Sequence, residues 1–216
     1  AAKDYFECEI ASFDDDFPLV RITRHEDATD DGPLVMLVQG LAKGEKMDSV
    51  IRHATELGVT AFMPLTCERS IVKLDAKKTR TRLDRWCSIA KSAAMQSGQP
   101  RIPEVLEPRS AKEAAAELAE ATAVLICWEE APQTASLAQA IERGLSECSC
   151  PRGDARIAVV VGPEGGLTER EVGFFLDANP RASLVSLGSS ILRTETAGVV
   201  APALTLYELG KLGGTR

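Results

Sequence analysis

From Leu34 onward the apolar positions follow two alternating patterns. Short continuous runs, PLVMLVQG at 33–40, VTAFMPL at 59–65, AVLICW at 123–128, IAVVV at 157–161 and LVSLG at 184–188, read as strands buried on both faces. Between the first two lies KMDSVIRHATELG. There Met47, Val50, Ile51, Ala54 and Leu57 recur three and four residues apart, and Gly58 stands where a left-handed helix end wants a glycine. The same periodicity predicts helices at 77–96, 111–120, 134–145, 169–178 and 195–209, and the proline-rich QPRIPEVLEP reads as a turn. Strands alternating with helices predict an α/β fold whose parallel sheet is covered on both faces. Pro202 falls inside the last predicted helix, where its ring opposes the carbonyl of Gly198 and predicts a kink or a lost hydrogen bond.

The first 32 residues follow a different pattern. YFECEI at 5–10 and PLVRITR at 18–24 predict two strands joined by the acidic turn Asp14–Asp16, with EDATDDGP at 26–33 as a polar linker. An isolated hairpin is marginal in water. Residues 1–32 are therefore expected either to pack on the main domain, 33–216, or to be strands of a larger barrel.

Composition narrows the classes. A chain of 216 residues with 44% hydrophobic content buries one sizeable core and has room for a small appended module. A net charge of −7 and a pI near 5.0 argue against a wholesale electrostatic grip on a polyphosphate, so any nucleic-acid surface must be local. One candidate exists. Arg69, Lys73, Lys77, Lys78, Arg80, Arg82, Arg85, Lys91 and Arg101 face only Asp75 and Asp84, a local +7 in a chain that carries −14 elsewhere. Such a run is either a solvated helix face or a phosphate-contacting surface, and the asymmetry favours the second. The six cysteines are scattered, which suits reduced thiols and a cytoplasmic setting better than a disulfide framework. Cys148-x-Cys150 lacks a second ligand pair, so no metal site is expected, and His53 reads as structural or RNA-contacting. No apolar run approaches the roughly 20 residues of a membrane span, and the start AAKDYFECEI is unlike a signal peptide.

Chemistry concentrates in two segments. In IAVVVGPEGGLTERE a buried strand runs into Gly162-Pro163-Glu164-Gly165-Gly166 and then a helix start capped by Thr168, with Glu171 three residues on. Glycines let a backbone approach a ligand closely, and the first helical turn leaves N–H donors free. Taken alone, the segment is either a tight turn or a nucleotide-binding loop. It is neither a Walker A loop nor a dinucleotide fingerprint. In LVSLGSSILRTETAG a second glycine, Gly188, follows a strand, and Ile191, Leu192 and Arg193 lead into a helix. Two such loops at strand ends predict a pocket at the carboxyl edge of the sheet. Arg193, read as a buried loop arginine, needs an anionic or polar partner.

These motifs resemble the RsmE family of the SPOUT superfamily. GPEGGLTERE and LGSSILRTETA match its two C-terminal signatures, and KGEKMDSVIRHATELGV, CERSIVKL and AAMQSG match upstream ones, over about 34–210. The resemblance implies a C-terminal deep trefoil knot, a homodimer paired through the knot and last helix, and a preceding PUA-like barrel of which residues 1–32 supply only the last strands. It implies S-adenosyl-L-methionine (SAM) held among three loops, around Trp128, at Gly162–Gly166 and at Leu187–Leu192, with backbone groups of Gly162, Gly166, Leu187 and Leu192 on the adenine and ribose. The implied activity is methylation of uridine N3 in small-subunit (16S) ribosomal RNA. Such a transfer needs the imide proton removed and the developing charge stabilised. Arg193 is the expected stabiliser. Glu195, Glu164 or a water held by one of them is the expected base, unless Glu195 merely pairs with Arg193 or favours the helix start. Trp128 serves either the core or the cofactor. Two other classes remain: a non-catalytic RNA-binding or ribosome-assembly factor with a SAM fold, disfavoured by intact Arg193 and both loops, and a kinase-like enzyme, disfavoured by the missing Walker lysine.

Overall fold

Side chains alternate across a strand, so a strand apolar at every position must be covered twice. In β8 (Arg156–Val161), Ile157, Val159 and Val161 pack into one buried cluster while Ala158 and Val160 pack into another. The computed structural model describes residues 4–27, 32–72, 75–129 and 136–214. Its contacts divide the chain into two compact units, Ala1–Asp31 and Gly32–Arg216.

In the larger unit, β3 (Leu34–Gly40), β4 (Ala61–Thr66), β5 (Glu104–Val105), β6 (Arg109–Ser110), β7 (Ala123–Cys127), β8 and β9 (Ala182–Val185) form one sheet. The order is β5-β4-β3-β8-β7-β9, β6 also pairs with β4, and every ladder is parallel. Helices α1 (Lys46–Leu57), α2 (Ala76–Ser97), α4 (Leu137–Glu147) and α6 (Thr194–Glu208) cover one face, meeting Val35, Leu37, Leu125 and Val159. Helices α3 (Ala111–Glu117) and α5 (Glu169–Ala178) cover the other, with Phe175 and Val172 against Val124, Ile126 and Val160.

Most predicted elements are present, with shifted ends. Gly58 caps α1 at φ 107°, and Thr168 and Glu171 form the reciprocal capping box at the start of α5. The proline-rich turn is corrected: it contains β5 and β6, two residues each, too short for periodicity to register. Helix α3 ends at Glu117 and β9 at Val185, both three residues earlier than expected, so Leu187 and Gly188 stand in a loop. Ser136 caps α4; positions 134 and 135, included in the sequence prediction, lie outside the described residues, as do 28–31 of the linker. Helix α6 runs as one element through Pro202. At Gly198 an added Cβ would lie 2.3 Å from Oε1 of the buried Gln39, so the helix sits against β3 at a distance only glycine permits.

The smaller unit is a two-stranded antiparallel ribbon, β1 (Asp4–Asp14) and β2 (Phe17–Asp27), longer than the apolar runs indicate and interrupted by two register shifts. Asp15 takes the left-handed turn at φ 52°, which a short polar side chain tolerates. Phe6, Ile10, Phe13, Phe17, Leu19, Val20 and Ile22 are all 50–75% exposed.

Candidate functional site

Three parallel strands, β8, β7 and β9, end side by side, and the segments leaving them enclose a cleft of about 590 Å³. Its walls are Cys127–Glu129 at the end of β7, Val161–Glu164 with Gly166 and Leu167 at the end of β8, and Val185–Glu195 with Ala197 from the end of β9 into the first turn of α6; Lys46 closes it from α1. Of the residues singled out in the sequence, Trp128, Gly162, Pro163, Glu164, Gly166, Leu187, Gly188, Ile191, Leu192, Arg193 and Glu195 all line this space.

Gly165 does not. A Cβ there would stand 2.9 Å from Arg69, whose guanidinium donates to the carbonyls of Gly165 (3.4 Å) and Leu167 (3.5 Å), so this glycine serves the loop's outer packing. Of the two, Gly166 lines the cleft. It has φ 71°, and a Cβ on it would lie 2.9 Å from the Glu129 carboxylate. Beneath the cleft, the Gln39 amide donates to Thr194 Oγ1 (2.9 Å), and the Thr194 hydroxyl donates to the Gly162 carbonyl (2.6 Å). This buried relay joins β3, the glycine loop and the start of α6.

Two charge expectations change. Arg193 is exposed at the N-cap of α6 and lines the cleft, so the desolvation argument for a partner does not apply. Glu195 pairs with Lys46 rather than Arg193. Lys46 Nζ lies 3.0 Å from Glu164 Oε1 and 3.2 Å from Glu195 Oε2, the second contact an ion pair without hydrogen-bond directionality. Glu164 Oε1 also accepts the Lys43 N–H at 3.1 Å. Burial pushes Glu164 upward, but its own N–H, Lys46 and the Lys43 N–H outweigh that and hold its carboxyl below the usual value. The Glu195 carboxyl is held low first by its own N–H, then by Lys46 and by the Arg193 charge. The contacts with Glu164 and then Glu195 raise the Lys46 ammonium in turn. Burial pushes the Cys127 thiol up to about 12, so it stands in the cleft as a neutral thiol and not a nucleophile.

Sequence reasoning missed Lys46, Glu129, Thr194 and the serines Ser186, Ser189 and Ser190. The serines and Thr194 lie inside a motif already singled out, and Glu129 directly follows Trp128 at a strand end; Lys46 stands in the upstream signature KGEKMDSVIRHATELGV, but its place in the cleft shows only through contacts 118 residues away.

The basic run is partly committed. Arg85 binds the buried Asp48 at 2.5 Å, Arg82 reaches the Gly44 carbonyl at 3.4 Å, Arg69 holds the glycine loop, and Lys78 pairs with Asp75 at 3.2 Å. Lys77 and Arg80 are exposed on α2 with no carboxylate within 4 Å among the described residues, and Lys73 lies outside those residues. His53 Nδ1 is 3.4 Å from Ser49 Oγ. All six cysteines are free: Cys67 is buried, Cys127 and Cys150 are half-buried, and Cys8, Cys87 and Cys148 are exposed. Among the described residues no group of His, Cys, Asp and Glu is arranged to hold a metal, and no helix is long and apolar enough to cross a membrane.

A cleft over the carboxyl ends of adjacent parallel strands, walled by glycine loops and a helix start, defines a nucleotide-ligand site of the α/β class. The chain belongs to the RNA methyltransferase domain family, whose model matches residues 31–206, and within it to the RsmE group. It is 34% identical over 216 residues to ribosomal RNA small subunit methyltransferase E of Bacillus subtilis, covering 99% of this chain and 82% of that one. It is 35% identical over 173 residues to the Mycobacterium bovis protein of the same name, covering 78% and 61%. In three dimensions it matches the Neisseria gonorrhoeae ribosomal RNA small subunit methyltransferase E bound to S-adenosyl methionine, with TM-score 0.75 and 29% identity over 95% of this chain and 79% of that one.

Proposed function

We propose that this chain is a SAM-dependent methyltransferase that modifies N3 of a uridine in small-subunit (16S) ribosomal RNA. The observation that carries the reading is the single cleft in which the Gly162–Gly166 loop, the Leu187–Leu192 loop and Trp128 stand beside Arg193 and Glu195. The residues present fit the cofactor. Gly166 leaves open a position that a Cβ would fill against Glu129, and the walls mix apolar Leu187, Ile191 and Leu192 with backbone groups and hydroxyls, as an adenosyl group requires. Gly162, Gly166, Leu187 and Leu192 would hold the adenine and ribose through their backbone. When bound, SAM supplies an electrophilic methyl group on a sulfonium.

The side chains do the rest. Arg193, exposed at the cleft mouth, donates to the uracil oxygens on which charge develops as N3 loses its proton. Arginine does not abstract that proton. Glu195 accepts a hydrogen bond from the imide N–H and takes its proton as N3 is methylated, then releases it to bulk water; its own N–H and Lys46 hold this carboxyl low, so the proton transfer depends on Arg193 stabilising the charge left on the uracil. Lys77, Lys78 and Arg80 on α2 offer exposed cations to RNA phosphates, with Arg69, Lys73, Arg82 and Arg85 beside them in the chain.

In this reading the segments around α6 form a deep trefoil knot and two copies pair through them in a cytoplasmic homodimer. Leu204 and Tyr207, both exposed on α6, support the pairing. Residues 1–32 are read as strands of a PUA-like β module beside the methyltransferase domain 33–216. Mass mapping of methylated nucleosides in small-subunit RNA after incubation with protein and SAM tests the activity; a single new N3-methyluridine is expected, and an unmodified RNA would overturn it.

A further inference from the structure

Lys46 opens α1 and lines the cleft, and in the transfer described above it enters only by lowering the Glu195 carboxyl. An ion pair between two exposed side chains contributes little. This one differs in three ways. One ammonium serves two carboxylates, all three side chains are only 26–33% exposed, and each comes from a different part of the chain: the start of α1, the glycine loop after β8 and the first turn of α6. The remaining charged groups at the cluster are Arg193 at the α6 cap and Glu129 after β7, both in the cleft wall, while Lys43 donates its backbone N–H to Glu164. Remove the ammonium and two carboxylates that both lie within 3.2 Å of it are left without their shared cation.

We propose that Lys46 is a positioning residue for methyl transfer: its ammonium ties Glu164 of the glycine loop to Glu195 of α6 and thereby fixes Glu195, and the helix start that carries Arg193, in the place the uracil ring enters. This rests on the reading of the cleft as a SAM and uridine site. The bridge acts through its partners, since Lys46 donates a hydrogen bond to Glu164 and pairs by charge with Glu195. Without it, the like charges either separate, displacing the start of α6, or one carboxyl takes up a proton. Both outcomes leave a signature that simple loss of stability does not.

The test compares wild type, Lys46→Met and Lys46→Arg by carbon-detected NMR titration of the Glu164 and Glu195 carboxyls, assigned with Glu164→Gln and Glu195→Gln. Calorimetry with SAM and single-turnover methyl transfer across pH accompany it. In wild type both carboxyls titrate below the ordinary glutamate value. In Lys46→Met one of them titrates at least one pH unit higher, SAM affinity changes by no more than a few-fold, and single-turnover transfer falls tenfold or more at every pH because the start of α6 is displaced, with the deficit deepening as pH drops toward the raised carboxyl value. Lys46→Arg restores most of the rate, because a guanidinium also reaches two carboxylates. Unchanged carboxyl titration in Lys46→Met, or wild-type transfer at every pH, overturns the proposal. If wild type methylates no small-subunit RNA, the functional reading fails on its own, while the titrations still decide whether Lys46 holds the two carboxylates.

Discussion

The two loops that face each other across the cleft are built from similar residues and held in opposite ways. The loop after β8 is pinned from every side. Gly166 N–H donates to the Pro163 carbonyl at 2.9 Å, Arg69 grips its outer edge, and the Thr168–Glu171 capping box fixes its exit into α5. A Cβ on Gly40 of β3 would meet the Pro163 nitrogen at 2.3 Å, so the strand beneath presses directly on it. The loop after β9 has almost none of this. Its internal polar contact is Ser186 Oγ with Gly188, while Ser189, Ser190, Ile191 and Arg193 are exposed. The contrast separates two tasks: a preformed cradle that offers backbone to a ligand, and an open arm that presents side chains to whatever arrives.

The largest effect is expected where the open arm carries chemistry. Arg193→Ala should slow single-turnover transfer at saturating SAM and RNA by about a hundredfold to a thousandfold, the usual cost of removing one preorganised stabiliser of developing charge. Because Arg193 is exposed and makes no side-chain cap, melting should move little and SAM affinity by a few-fold at most. Arg193→Lys should recover little, since an ammonium lacks the planar fork. Normal turnover in Arg193→Ala would assign the chemistry elsewhere and leave both loops as binding elements.

Next comes the pinned loop. Gly166→Val should lower SAM affinity tenfold to a hundredfold, because φ 71° strains any β-branched residue by about 1–3 kcal/mol and its side chain must displace Glu129. Gly165→Val should act differently, by pushing Arg69 away and loosening the loop from outside. Gly188→Ala is the control on the open side: φ is 115°, but a Cβ meets nothing within 4 Å, so only backbone strain remains. Calorimetry ranking Gly188→Ala below Gly166→Val would undo the contrast between the loops.

That contrast was only half legible in the sequence. Gly162–Gly166 and the Thr168–Glu171 box are local patterns, and local patterns survive without coordinates. So are the strands, because a parallel sheet covered twice leaves continuous apolar runs. Which of the paired glycines lines the cleft is not local: Gly165 meets Arg69 while Gly166, in the left-handed conformation, meets Glu129, each neighbour brought in from a distant segment. Arg193 was expected to be buried because its neighbours Ile191 and Leu192 are apolar, yet Ile191 is itself exposed. The ion pairs of Lys46 join segments that periodicity treats separately, so the partner of Glu195 could not be chosen from Arg193, two residues away, without the fold.

The relay under the cleft is where the two loops are tied together, and Thr194→Val cuts it with little change in shape. The substitution leaves the Gln39 amide and the Gly162 carbonyl without the hydroxyl between them. An unpaired buried polar group costs about 1–3 kcal/mol, so the melting temperature should fall and SAM binding weaken together. Thr194→Ser keeps the hydroxyl and should behave nearly as wild type. A Thr194→Val protein with unchanged stability would mean that the relay does not couple the loops.

The smallest effect tests the open arm at its most exposed point. Ile191 is 89% exposed although it is a large apolar residue in the cleft wall, so in the free protein its truncation removes no packing. Ile191→Ala should therefore leave stability within about 0.5 kcal/mol of wild type. Ligand binding is a separate matter, because a SAM molecule against this wall covers the side chain and removes part of its surface from water. Each buried methylene is worth about 0.8 kcal/mol, so partial cover of the three carbons lost predicts a penalty near 1 kcal/mol, a several-fold rise in Kd. Phe175→Ala in the core gives the opposite signature, costing about 3–5 kcal/mol of stability whether or not ligand is present. Affinity that falls without stability, measured by calorimetry and thermal melting on the same Ile191→Ala preparation, would place this residue on the ligand. Unchanged affinity would show that the arm stays open around bound SAM and that the pinned loop alone provides the binding energy.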